Sequence, residues 1–356
     1  MYERAYDMTT RGAGMRLTRR QVVGGVAGAG AAAMLPGASA FAQKGRTLNV
    51  IIQGFSLAIH MPQVIALQEG LPELGYGPAK MDRIESMQVI TQSIVAGSAE
   101  AGDADVVSAM RASEVGANIR LIGMVYNSTS QVFVVNADKI KSYADFKDSN
   151  NAIALNSRGD FIYVLLAGVL AKHDLDIEDT TIIDMGGSGS RMRALLAGRV
   201  AAVPVHFDQA AEVVKQGNFK VLIEPWQEYK TWLSEPWLVP GAWADNKDNH
   251  RIAIDLNKAM IKSFRRANAD YDYFAAGFRK YATVPDAAKV ADEKLKPIWQ
   301  KLSVDIRAWP NDGGFRREYF KELLPVYRKA AAIKGEPDLN RVVETRFVEQ
   351  ALQELG

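Results

Sequence analysis

The sequence predicts an α/β fold followed by a helical C-terminal third, on three observations. Apolar, strand-like runs alternate with helical runs from Thr47 to about residue 223. Nearly every strand run ends in small or polar residues that open the next helix, as in sheets whose strands run mostly parallel. From Asp248 onward the strand signals stop, and Ile252, Leu256, Met260 and Phe264 step by four along one helical face. At 356 residues, 48% of them hydrophobic and 24% charged, the chain is long enough for about two domains and can bury a sizeable core.

Residues 1–42 read as a leader rather than as part of the fold. Arg16-Leu17-Thr18-Arg19-Arg20 precedes a Gly/Ala-rich apolar run and then Ala40-Phe41-Ala42, the basic, apolar and A-x-A segments of a secretory signal peptide. The paired arginines and weak hydrophobicity are similar to a twin-arginine export signal, although Val22-Val23 stands where Phe-Leu is usual, so the general secretion route stays open. Met15 can serve as an alternative start. The leader holds five Arg and two acidic residues; the remainder carries 38 basic against 39 acidic residues and has no basic field for nucleic acid or lipid. There is no cysteine, hence no disulfide framework and no lipoprotein anchor. The expectation is an exported and freely soluble mature chain.

In chain order, Thr47–Gln53 reads as a buried strand, and His60-Met61-Pro62 leads into a helix to about Leu74, with Pro62 suited to its first turn. Met87 to about Ala99 reads as a helix with Ile90, Ile94 and Val95 on its core face. Strands are expected at Asp103–Val107, Leu121–Tyr126, Gln131–Val135 and Ala152–Leu155. Short helical Ile140–Phe146 and the apolar helix Phe161–Leu170 follow the last two of these in turn. Ala201–Val205 ends at His206-Phe207-Asp208-Gln209, which opens another helix, and Phe219–Ile223 precedes an aromatic stretch with Trp226, Tyr229, Trp232 and Trp237. No internal repeat or low-complexity linker interrupts residues 43–356.

The most informative stretch is Asp184-Met185-Gly186-Gly187-Ser188-Gly189-Ser190-Arg191, between the β-branched run Thr180–Ile183 and the helical run Met192–Ala197. Strand, glycine-rich turn and helix together make a cradle for a small polar or anionic group, because glycine permits close backbone approach and a helix N-terminus presents unpaired N–H groups. It is not a dinucleotide fingerprint, since Met192 stands where the last glycine would fall.

Several motifs together resemble the type II periplasmic solute-binding proteins of ABC importers, in the branch that includes sulfonate, nitrate and thiamine-pyrimidine binders. They are Ile59-His60-Met61-Pro62 with Ala66–Gly70, Asp103-Ala104-Asp105-Val106-Val107, Tyr143-Ala144-Asp145-Phe146-Lys147, Ser157-Arg158-Gly159, and the glycine-rich stretch continued to Val200. The resemblance covers roughly residues 46–300 and implies a two-lobed periplasmic-binding-protein type II fold, with two hinge strand crossings and a helical C-terminal extension. Lobe 1 would be residues 46–130 plus 238–356, and lobe 2 residues 131–237. It also implies capture of a small ligand by hinge closure, a membrane permease as partner and a separate ATPase. His206-Phe207-Asp208 and Gln53-Gly54-Phe55-Ser56 depart from the family pattern where ligand specificity would be set.

The candidate ligand-binding residues are Phe55, Ser56, His60, Ser108 and Met110 from lobe 1, and Ser157, Arg158, Gly187, Ser188, His206 and Asp208 from lobe 2. Trp237 is expected to supply an apolar wall alongside Phe55 and Met110. Arg158 pointing inward would suit a carboxylate or sulfonate; Asp208 suits an amine or ring N–H, or caps the helix that follows. Small aromatic acids, sulfonates and pyrimidine-like heterocycles all remain open. No metal, cofactor or catalytic set is expected: there are four His and no Cys, and neither H-E-x-x-H nor G-x-S-x-G occurs. Two alternatives stand beside the transport binder. One is an enzyme similar to the eukaryotic thiamine-pyrimidine synthase, whose cysteine-rich motif this chain lacks; the other is an exported sensory or docking protein using the same cleft.

Overall fold

A computed structural model describes residues 45–53, 58–84, 86–330 and 332–356, and the leader expected over residues 1–42 lies outside them. Ala42–Gly356 form one compact unit. Its strands are β1 (Asn49–Ile52), β2 (Lys80–Arg83), β3 (Ala101–Asp103), β4 (Ile119–Tyr126), β5 (Gln131–Asn136), β6 (Ile153–Leu155), β7 (Ile182–Asp184), β8 (Ala202–His206), β9 (Phe219–Ile223) and β10 (Glu235–Pro240). The helices that matter below are α1 (Met61–Ile65), α2 (Met87–Val95), α3 (Val106–Glu114), α4 (Phe161–Lys172), α5 (Ser188–Leu196), α6 (Phe207–Val214), α7 (Lys247–Ala269) and α8 (Arg317–Lys329).

The strands form two five-stranded sheets, ordered β2-β1-β3-β10-β4 and β7-β6-β8-β5-β9. Each is parallel on one side and receives one antiparallel strand: β10 between β3 and β4, and β5 between β8 and β9. The two orders are equivalent, so the lobes share one topology and are joined where the chain leaves β4 for β5 and returns from β9 to β10. Both crossings are buried and tied together. The Trp232 N–H donates to the Asn127 carbonyl at 3.1 Å, and the Ser234 hydroxyl donates to the Ser128 carbonyl. This is the two-lobed periplasmic-binding-protein fold, with a helical C-terminal portion packed on it.

Strand β2 was not expected from the sequence, and two further elements differ from the reading. The strand expected at Asp103–Val107 ends at Asp103, because the Asp105 carboxylate accepts the Ser108 N–H at 2.8 Å and starts α3 at Val106 despite two β-branched residues. Glu235–Pro240, read as aromatic packing, is a central strand. Its two prolines argue against a strand, but the register shifts between Glu235 and Pro236, a bulge of the kind that admits proline.

The first sheet is packed tightly against α7. A Cβ on Gly123 of β4 would stand 2.1 Å from Asn257 Oδ1, and Asn257 Nδ2 donates to the carbonyls of Ile122 and Ala253, both at 2.9 Å. Gly123→Ala is therefore expected to displace a satisfied buried amide at a cost of about 1–3 kcal/mol. Thermal unfolding should show a midpoint several degrees lower; an unchanged midpoint would mean this contact is not close-packed.

Candidate ligand-binding site

The carboxyl ends of both sheets open on one cavity of about 1080 Å³. Ser108, Ser157, Arg158, Gly187, Ser188 and His206 line it together. On the lobe 1 side it is closed by α2 and α3. Gln88, Thr91, Gln92 and Val95 face it from α2, and Ser108, Arg111 and Ala112 from α3 with Val115 just past its end, both sets at the three- and four-residue spacing of one helical face. Val95, read as core, is 46% exposed and belongs to this wall; Ile90 and Ile94 are buried as expected.

Local chemistry sets the sign of the lobe 2 wall. Asp160 caps α4, accepting the Tyr163 N–H at 2.8 Å and the Ser157 N–H at 3.2 Å, so this carboxylate is occupied by backbone donors. Helix α5 starts at Gly187 with no side-chain cap. Gly186 before it has φ +70°, a conformation that favours glycine. On the first turn of α5 sits Arg191, only 2% exposed. Its Nε donates to the Pro204 carbonyl at 3.2 Å and one Nη to Ser188 Oγ at 3.1 Å, while the other Nη donates to the Gly186 carbonyl. Among the described residues no carboxylate lies within ion-pairing distance of it. Burial lowers its pKa to about 10, with Asp160 opposing, so it stays charged.

The lobe 1 floor is a buried proton-sharing cluster. His60 Nε2 is 2.8 Å from Glu235 Oε2, and the Tyr126 hydroxyl donates to Glu235 Oε1. Asp103 accepts the Gln53 N–H at 2.7 Å and Gln63 Nε2 at 2.8 Å. Burial opposes charge on His60, but Glu235 outweighs it and holds the imidazole pKa above its usual value. Burial, then the Glu235 charge, pushes the Asp103 carboxyl up to about 8. His60, Asp103 and Glu235 each bring a ligand atom within 4.8 Å of the others, the one grouping among the described residues that a divalent cation could share.

Four expectations change in the structure. Met110 and Trp237 are fully buried in the core and do not line the cavity. Met110 lies about 200° around α3 from Ser108, and Trp237 sits in a strand flanked by β3 and β4. Asp208 is an exposed first-turn residue of α6 outside the cavity lining. His60 does not face the cavity but lies behind Glu235, which does. Phe55 and Ser56 fall outside the described residues. Residues not foreseen are Asp105, Arg111, Tyr126, Ser130, Gln131, Arg191 and Glu235. For Arg191 a signal existed, as it stands four residues, about one helical turn, after Gly187.

This fold and cleft are those of the two-lobed periplasmic-binding-protein class of folds, and comparison with known proteins agrees on the fold. The ligand-binding component of an ABC-type import system from Staphylococcus aureus, solved with zinc bound, has 13% identity and a TM-score of 0.67, covering 86% of this chain and 99% of its own. The periplasmic nitrate-binding protein of Synechocystis gives 12% and 0.67, over 87% and 89%. A periplasmic sulfonate-binding protein from Methylobacillus flagellatus gives 15% and 0.64, over 88% and 96%. At these identities the likeness is one of fold. Residues 84–239 match the family described as NMT1/THI5 like, which bears out the resemblance read from the sequence. No curated protein sequence matches the chain.

Proposed function

We propose that this chain is the extracytoplasmic solute-binding component of an ABC import system, capturing one small organic anion between its lobes by hinge closure. The observation that carries the anion is Arg191, a buried guanidinium on the cleft wall with no carboxylate partner among the described residues, beside a helix N-terminus that no side chain caps. A cleft walled by both lobes lets one ligand hold them together, which is what closure requires. In this reading lobe 1 is residues 46–130 plus 238–356 and lobe 2 is 131–237, the mature chain is a periplasmic monomer, and a permease with its own ATPase receives the closed form. No helix among the described residues is long and apolar enough to cross a membrane. The chain is read as a binder rather than an enzyme on its likeness in fold to solved binding proteins.

Gly187→Val tests the site. A Cβ at Gly187 would meet nothing within 4 Å, and its φ of −63° suits any residue, so the fold should tolerate valine. The new side chain would stand in the cleft at the start of α5. Titration calorimetry is expected to show at least a tenfold loss of affinity for anionic ligands, with the unfolding midpoint unchanged. Unaltered affinity would remove the α5 N-terminus from the site.

A further inference from the structure

The cleft holds a second instruction about its ligand, in the side chains of Ser130, Gln131 and His206, all on its wall. Gln131 opens β5, its backbone N–H held by Thr129 Oγ1 at 3.0 Å. Gln131 Nε2 lies 3.0 Å from His206 Nε2, and Ser130 Oγ lies 2.7 Å from His206 Nδ1, so the imidazole is gripped at both nitrogens. A neutral imidazole has one donor and one acceptor nitrogen. Burial, with the charges of His60 and Arg191, keeps His206 neutral. The Gln131 amide donates from Nε2, so His206 Nε2 accepts, Nδ1 carries the proton, and that proton goes to Ser130 Oγ. Two capacities remain. The Ser130 hydroxyl hydrogen is free to donate. Gln131 Oε1 has no partner, although the residue is only 8% exposed.

Native structures rarely leave a buried oxygen in that condition without a use for it. The other buried polar atoms without partners among the described residues, such as the Trp232 and Trp237 indole nitrogens, belong to residues outside the cavity lining. Gln131 alone of this group lines the cleft. We propose that the ligand carries a hydrogen-bond donor, an amino, amide or hydroxyl group, in addition to its negative charge, and that Gln131 Oε1 accepts it. This rests on the solute-capture reading and narrows it. Nitrate and simple alkanesulfonates have no such donor and would leave the oxygen orphaned, which is how a site built to accept a hydrogen bond rejects the analogue lacking it.

The test uses two isosteric triads against the exported chain in titration calorimetry: taurine, isethionate and propane-1-sulfonate, and 4-amino-, 4-hydroxy- and 4-methylbenzoate. Within a triad the donor-bearing members are expected to bind at least tenfold more tightly than the methyl member, and the amino and hydroxyl arms identify which donor is used. In Gln131→Met the preference within each triad is expected to collapse to within about twofold. Equal binding within each triad by the wild type overturns the donor assignment and leaves solute capture standing. A preference that survives Gln131→Met in a folded variant also overturns it. Binding of none of the six overturns both readings together. The wild-type comparison decides by itself if the variant does not fold.

Discussion

Replacing Arg191 with methionine is expected to weaken capture of anionic ligands by roughly ten- to a hundredfold, the loss of one charge-assisted contact. The guanidinium sits on the cleft wall with its pKa lowered to about 10 by burial. Burial thus disfavours the charge even with Asp160 opposing the shift. An anion in the cleft would offset part of that penalty, which makes the interaction stronger in the bound state than in the free protein. Removing Arg191 also frees the Pro204 and Gly186 carbonyls, so the unfolding midpoint of the unliganded variant should be measured alongside. Arg191→Lys keeps the charge but not the planar fork, and affinity between wild type and methionine is expected. If the methionine variant is folded and binds anions as the wild type does, Arg191 is a structural residue and the case for an anion fails.

Stability is expected to fall as pH rises from about 5 to 9, and Asp103→Asn to remove most of that fall. Asp103 is fully buried, and burial with the Glu235 charge raises its pKa to about 8. In the unfolded chain a carboxyl ionises near about 3.9. Between those values the folded protein retains a proton that the unfolded chain releases, so each rise in pH favours unfolding, and the loss is complete once the folded pKa is passed. His60 acts in the same direction. Its folded pKa lies above the unfolded value, so its contribution is full below about 6.5 and is lost as pH rises through the folded pKa. The combined effect is on the order of 2–5 kcal/mol. Asparagine imitates the protonated acid. Thermal unfolding with a chelator present should therefore show the variant several degrees more stable than wild type near pH 9 and close to it near pH 5. Parallel curves for the two proteins would contradict the assignment of the proton to Asp103.

How far the site can be read from the sequence follows from the range of the interactions that build it. The glycine-rich turn before α5 is local chemistry, and strand, turn and helix occur in the order read, although the helix begins at Ser188 and takes in residues expected in the turn. The same holds for the helix that begins at Phe161. Helical phase was available but went unused: Ser108, Arg111, Ala112 and Val115 share a face that excludes Met110. What could not be read is the set of contacts made across the fold. Glu235 meets His60 from 175 residues away, and Gln131 meets His206 from 75 away. Each depends on which strand is inserted into which sheet, information that single-chain periodicity does not carry. Trp237 illustrates the cost, since its strand was hidden by Pro236 and its burial came with it.

The most direct test of solute capture is a calorimetric titration of the protein with propane-1-sulfonate and 4-methylbenzoate, each paired with its uncharged amide or sulfonamide counterpart. One anion bound per chain, at least tenfold more tightly than its neutral counterpart and weakened in Arg191→Met, is the expected result. Neutral members binding as well as the anions, or saturation at a stoichiometry other than one, would contradict a single anion-binding cleft between the lobes.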